Sequence, residues 1–313
     1  MNQARDKSTE SVVDAEELKN ISSEELSEYE CIDENCKIEL IPCSYKRTNK
    51  IRPYFKSFKN VDHTDKCQFS RFLKILDQAK KRRLEASEFE NLPYPSKLIK
   101  PVKKIEEPTL KQNENDVDLE EITGTKRKST NLFEESANAN RSVTTISQIV
   151  DFYLNCPYNR DVELNILDKN ESYKYWFRRI KDDKSYDGTR IYFGKLHANF
   201  GYVDNKNGSI KIKLFECQTW QESTGAGLLY NKKEQKNPYM VNVNLENLSS
   251  HKSSRLMSEI EYAINEKKAN FNNKKKNAYV FFLGTPTANK EFSFDVIDGY
   301  LVTRFTEIKF IKK

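Results

Sequence analysis

The chain reads as an α+β protein: a small zinc-ribbon-like N-terminal module followed by a larger domain built on an antiparallel β-sheet or OB-like barrel with helices. Three observations predict this. Two tight pairs of metal-binding residue types, Cys31 with Cys36 and His63 with Cys67, stand close together near the N-terminus. An acidic, proline-punctuated stretch separates them from the rest of the chain. Beyond it, strand-type patterns lie on both sides of one internal helical segment and are mostly joined by hairpin signals.

Residues 1–30 carry nine acids against three bases, and residues 1–27 are expected to form a disordered acidic tail. The module proper, with the helix after it, is expected over 28–90. Its ligands read Cys-x4-Cys, an interval of 26 residues, then His-x3-Cys. This is the spacing of two two-ligand knuckles that close one tetrahedral zinc site. Three of the six cysteines and one of the three histidines are used, while Cys43, Cys156 and Cys217 are scattered. So short a segment buries too little apolar surface to offset its ordering entropy, and metal ligation supplies the difference. Four protein ligands describe a closed, structural site, since catalytic zinc keeps one position open.

With the knuckle Tyr29–Leu40 and the aromatic element Arg52-Pro53-Tyr54-Phe55-Lys56 in view, the segment resembles the N-terminal zinc-ribbon-like module of bacterial competence-protein (CoiA-like) families. The resemblance covers about forty residues. It departs at Tyr54, where the family often has histidine, which moves ligation to His63 and Cys67. It implies a prokaryotic protein that works around DNA.

After Cys67 the apolar period of Phe69, Phe72, Leu73 and Leu76 predicts a helix over roughly 68–87, ending in Lys80-Lys81-Arg82-Arg83. Pro93, Pro95, Pro101 and Pro108 then mark a flexible linker over 91–140, whose second part, 105–140, holds nine acids against four bases. The second domain, 141–313, opens with a helix led by a Thr145/Gln148 capping box and carrying Ile146, Ile149, Val150, Tyr153 and Leu154. Strands are expected at Arg190–His197, at Phe200–Val203 with a hairpin through Asn207-Gly208, at Ile210–Leu214 and at Tyr239–Leu245. A helix spans about 251–269. Ala278–Leu283, Glu291–Ile297 and Tyr300–Ile311 close the chain as strands, the last two as a hairpin through Asp298-Gly299.

Charged residues make up 32% of the chain, mean hydropathy is −0.82, and no run of eighteen apolar residues exists. With few cysteines and no secretory pattern, a cytoplasmic protein without a membrane span is expected. Residues 71–104 hold ten bases against four acids, and 141–313 hold 28 against 20. Basic, aromatic stretches of this kind suit a polyanion. The expected nucleic-acid contacts are Lys195, Lys211 and Lys213 on strands, with Tyr192 stacking on a base, and the Lys80, Lys81, Arg82, Arg83 run. The bland alternatives are core aromatics, solvated lysines and cations complementing a helix C-terminus. A nuclease would need paired carboxylates, for which Asp204 and Glu216 are the nearest candidates, though Gln218 stands where lysine is usual. No phosphate-loop motif occurs. The expected function is nucleic-acid binding or recruitment (DNA or RNA) with a structural zinc and no catalysis of its own. A nuclease and a protein–protein adaptor docking a partner through the zinc module are the alternatives.

Overall fold

The computed structural model describes residues 3–15, 18, 26–46, 49, 52–65, 67–85, 87–88, 94–100, 140–197, 208–221, 234–246, 248–270, 272–273, 275–288 and 292–310. Three sheets carry the fold. The first is wholly antiparallel, in the order β2-β1-β3-β4-β5, from β1 (Gln3–Asp6), β2 (Val12–Asp14), β3 (Tyr29–Glu30), β4 (Glu39–Cys43) and β5 (Tyr54–Ser57). Residues 3–6 and 12–14, expected within a disordered tail, are therefore strands. Lys7 helps hold them, donating to Glu28 at 3.2 Å and Glu39 at 2.7 Å. The core of this sheet is small: Ala4, Ala15, Leu18, Tyr29, Leu40 and Phe55, with the Tyr29 and Phe55 rings 5.0 Å apart.

Helix α1 (Gln68–Ala79) starts at Cys67 and stops before the basic run, which forms the turn after it rather than its last turns. Phe69 and Phe72 lie outside the described side chains. Of the expected apolar face, Leu76 packs against the core while Leu73 is exposed. Strand β6 (Tyr94–Leu98) lies where linker was expected, and 101–139 falls outside the described residues. It pairs in parallel with β7 (Asn140–Val143) and with β8 (Glu163–Ile166), to which β9 (Lys169–Ser172) adds by a tight hairpin. The reason this hairpin is hard to read in sequence is its turn, where Leu167 and Asp168 take φ of 52° and 58° without glycine.

Helix α2 (Ile146–Asn155) has the expected bounds, although the Thr145 side chain makes no capping hydrogen bond. Helix α3 (Tyr173–Trp176) and β10 (Phe177–Arg179) follow. Strand β10 is the edge of a six-stranded mixed sheet, β10-β11-β14-β15-β13-β12, completed by β11 (Arg190–Lys195), β12 (Ser209–Gln221), β13 (Glu234–Asn244), β14 (Asn277–Pro286) and β15 (Ser293–Thr306). The sheet does not close into an OB-like barrel among the described residues, although an isolated antiparallel bridge, Leu196 with Leu214, and a hydrogen bond from His197 N–H to the Lys213 carbonyl at 3.1 Å link the end of β11 to β12. It is also not purely antiparallel: β10 pairs with β11, and β13 with β15, in parallel. The expected hairpin at Asp298-Gly299 is instead an irregularity within one strand, because both halves of β15 run antiparallel to the same neighbour, β14. The two residues take φ of 49° and 63°, which kinks the strand without reversing it.

Two apolar layers flank this sheet. Helix α2 covers one face with Tyr153, Phe177, Phe193 and Phe281, in a core that also contains Ala79 and Leu84 from the end of the α1 region. Helix α4 (Ser250–Ala269) covers the other with Leu256, Ile260 and Ile264 against Tyr192, Val280 and Phe282. The two expected units thus share buried surface. A polar clamp adds to this: Arg52 Nη2 donates to Glu259 Oε2 at 2.7 Å on α4 and to the Thr303 carbonyl at 2.8 Å on β15.

Candidate metal centre and nucleic-acid interface

The Cys31–Cys36 turn is built by its backbone. Cys36 N–H donates to the Asp33 carbonyl at 3.0 Å, Lys37 N–H to the same oxygen at 3.1 Å, and Cys31 N–H to the Ile38 carbonyl at 2.8 Å. Lys37 takes φ of 45°, which turns the chain back into β4 and leaves both sulfurs on one side. The second pair comes from the loop after β5. Cys67 N–H donates to the Thr64 carbonyl at 3.0 Å, and Thr64 Oγ1 to the Asn35 carbonyl at 3.4 Å, which joins the two turns.

The four expected ligands meet. Cys31 Sγ and Cys67 Sγ are 3.8 Å apart, and His63 Nδ1 is 3.3 Å from Cys36 Sγ and 3.4 Å from Cys67 Sγ. All four donor atoms lie within 4.8 Å of one another, with Cys31 and Cys67 buried and Cys36 and His63 half-buried. One metal ion can be reached by all four. Burial pushes the Cys31 thiol up and His63 down. The imidazole is therefore neutral at pH 7 and able to coordinate, while a Cys31 thiolate needs a nearby cation. Burial also acts to raise Cys36, but backbone N–H groups of Thr64 and Ile38 directed at its sulfur outweigh it and hold the thiol below its ordinary value. Cys67 stands at the N-cap of α1, which fixes its place beside the Cys31–Cys36 turn. Cys43 is half-buried and its Sγ contacts the Ile41 carbonyl at 3.6 Å, outside the cluster.

The basic residues separate into two groups. Lys80 pairs with Asp77 at 3.3 Å, Arg82 with Glu88 at 2.6 Å, and Arg83 with Asp161. The run expected to meet phosphates is thus largely matched by the protein's own carboxylates. On β12, by contrast, Ile210, Ile212, Leu214 and Glu216 point inward, leaving Lys211, Lys213 and Phe215 on the outer face. Phe215 is 61% exposed. Lys195 Nζ lies 5.6 Å from its ring centroid, and the His197 ring stacks on it at 6.2 Å. Lys195 therefore sits beside the Phe215 ring, and Lys211 and Lys213 precede it on the same strand face.

No protein-family model, curated protein or solved structure matches this chain. What the site can do rests on its own geometry.

That geometry corrects one expected contact. Tyr192 is fully buried: its hydroxyl donates to the carbonyls of Asp187 at 2.8 Å and Gly188 at 2.9 Å, and its ring packs 4.8 Å from Phe294. It is a core residue, because β11 is covered on both faces, and it has no surface on which a base could stack. Phe215 occupies the position expected of Tyr192, and the alternation Lys211, Lys213, Phe215 is the sequence signal that marks it. The nuclease pair fares differently. Asp204 lies outside the described residues, whereas Glu216 is buried, accepts from Lys195 N–H at 2.8 Å, and has its carboxyl raised by burial. Among the described residues, no helix is long and apolar enough to cross a membrane.

Proposed function

We propose that this protein binds single-stranded nucleic acid through the outer face of β12, and that a structural zinc ion holds its N-terminal module together. The observation that carries the reading is an exposed phenylalanine, Phe215, with Lys195 beside its ring, on a strand face that also bears Lys211 and Lys213. A bare aromatic face stacks bases without regard to sequence, while lysines follow the phosphates. The residues serve DNA or RNA alike. Similarity of the Cys31–Cys36 knuckle to competence-protein modules favours DNA and a prokaryotic, cytoplasmic setting.

Zinc is the metal that the donors suit best. Three thiolates and one imidazole are the soft, tetrahedral set it prefers. With Zn–S about 2.3 Å and Zn–N about 2.05 Å, a regular tetrahedron has S···S edges of about 3.8 Å and N···S edges of about 3.6 Å. The observed 3.8, 3.3 and 3.4 Å follow that pattern. Four protein donors leave no open position, so the ion supports the fold and no catalysis is assigned to it.

The test is binding of a labelled oligonucleotide over a salt series. Lys211→Glu with Lys213→Glu should weaken binding at least tenfold and flatten the salt slope by about two phosphate contacts. Phe215→Ala should cost about 1–3 kcal/mol at every salt concentration. Wild-type affinity in the double lysine variant would leave this face a solvated surface and favour the adaptor reading. Magnesium-dependent cleavage of the oligonucleotide would favour the nuclease.

A further inference from the structure

A cavity of about 1010 Å³ opens beside the edge strand β10, lined by the end of α2, the turn after it and residues 174–186. It is distant in sequence from the metal ligands and does not include the β12 face. Its charge is one-sided. Arg83 is matched by Asp161, the one carboxylate among the lining residues described. Arg160, Lys174, Arg178, Arg179, Lys181 and Lys184 line the same space, and no second carboxylate is among the lining residues described.

Two of these cations lie against aromatic rings. Arg160 lies on the Tyr153 ring, 3.7 Å from the centroid, with Nε donating to the Tyr153 carbonyl at 2.9 Å and Nη1 to the Lys309 carbonyl at 3.1 Å. Its Nη2 is buried and meets no acceptor among the described residues. Arg179 stacks on Phe310 at 4.9 Å, and its Nε is likewise buried without an acceptor among the described residues. Both guanidiniums border one concave and strongly basic site, whose charge suits an anion with several acceptor oxygens. Phosphate fits: guanidinium forks take its oxygens in pairs, and the lysines add charge. Tyr158 and Phe310, 37% and 49% exposed, line the same cavity and supply rings on which a base can lie. The volume is that of an ordinary small-molecule site.

We infer that this cavity binds clustered phosphate groups carried by a nucleoside, either as a free nucleoside polyphosphate or as the phosphorylated end of a strand. The site is separate from the Phe215 face, and the inference does not depend on that face binding nucleic acid.

Calorimetric titration of the full-length, zinc-loaded protein at low salt decides it, using inorganic tripolyphosphate, ATP, a 5′-phosphorylated tetranucleotide and its 5′-hydroxyl counterpart. ATP should bind more tightly than tripolyphosphate. Arg178→Ala with Lys181→Ala changes two exposed side chains and should weaken ATP at least tenfold without moving the melting temperature. Lys211→Glu with Lys213→Glu should leave ATP binding unchanged, which separates this site from the strand face. A phosphorylated tetranucleotide that outcompetes ATP identifies the strand end, and the reverse order identifies the free nucleotide. The inference is overturned if neither ATP nor the phosphorylated tetranucleotide binds, or if binding survives the Arg178/Lys181 double substitution. It is equally overturned if tripolyphosphate matches ATP while the 5′-hydroxyl strand matches its phosphorylated form.

Discussion

Replacing Arg52 with alanine tests how firmly the N-terminal module is joined to the rest of the molecule. Arg52 Nη2 reaches Glu259 Oε2 at 2.7 Å and both the carbonyl and Oγ1 of Thr303 at 2.8 Å. The Glu259 side chain is 9% exposed, so without Arg52 its charge stays buried. Removing one partner of a buried pair typically costs 3–5 kcal/mol. Two features put this case at the lower end: Arg52 is itself 20% exposed, and Glu259 keeps the Thr303 N–H at 3.0 Å. The expected loss is about 3 kcal/mol, or roughly 6–12 °C of melting temperature by scanning calorimetry of the purified protein. Because the penalty is mainly an uncompensated carboxylate, Arg52→Ala combined with Glu259→Gln should recover part of the loss. A shift below about 2 °C, or a double variant less stable than Arg52→Ala, would refute the clamp.

Removing the metal with a strong chelator should expose the amides of 29–43 and 54–57 to hydrogen exchange while those of 277–306 stay protected, since only the first sheet depends on the four ligands. Exchange that rises equally in both regions would show one cooperative unit. Glu216→Gln should change how stability depends on pH. Burial raises the Glu216 carboxyl above its ordinary 4.5, so its contribution is present at lower pH and lost as pH rises through the folded value. The variant should therefore gain melting temperature over wild type at pH 7–8 and lose that gain toward pH 4. A difference that is constant with pH would contradict this. The glutamine retains an oxygen for Lys195 N–H.

What was legible in the sequence was local. The metal ligands show because two pairs of uncommon residues fall at knuckle spacing, and the structure brings all four together. Helices α2 and α4 show because Ile146–Asn155 and Ser250–Ala269 each carry an apolar period. The lysine face of β12 shows by simple alternation. The rest depends on contacts distant in sequence. Tyr192 and Phe215 look equivalent on paper, and only the layer on each side of β11 decides which is core. Asp298-Gly299 has the composition of a hairpin turn, but pairing of both flanking segments with β14 makes it a kink within one strand. Strand β1 is short and polar, β2 is only three residues long and β6 is interrupted by proline, so pairing with neighbours, not propensity, defines them. The basic cavity is assembled from segments as far apart as Arg83 and Phe310, and no single stretch announces it.

The most direct test of the metal centre is its zinc content together with X-ray absorption at the zinc edge. Purified protein should hold one zinc per chain, with three sulfurs at about 2.3 Å and one nitrogen at about 2.0 Å. Cys36→Ser should lower the sulfur count or the zinc content, and His63→Ala with Cys67→Ser should abolish stoichiometric binding. Full zinc content in that double variant, or a shell of oxygen and nitrogen alone in the wild type, would contradict the assignment of Cys31, Cys36, His63 and Cys67.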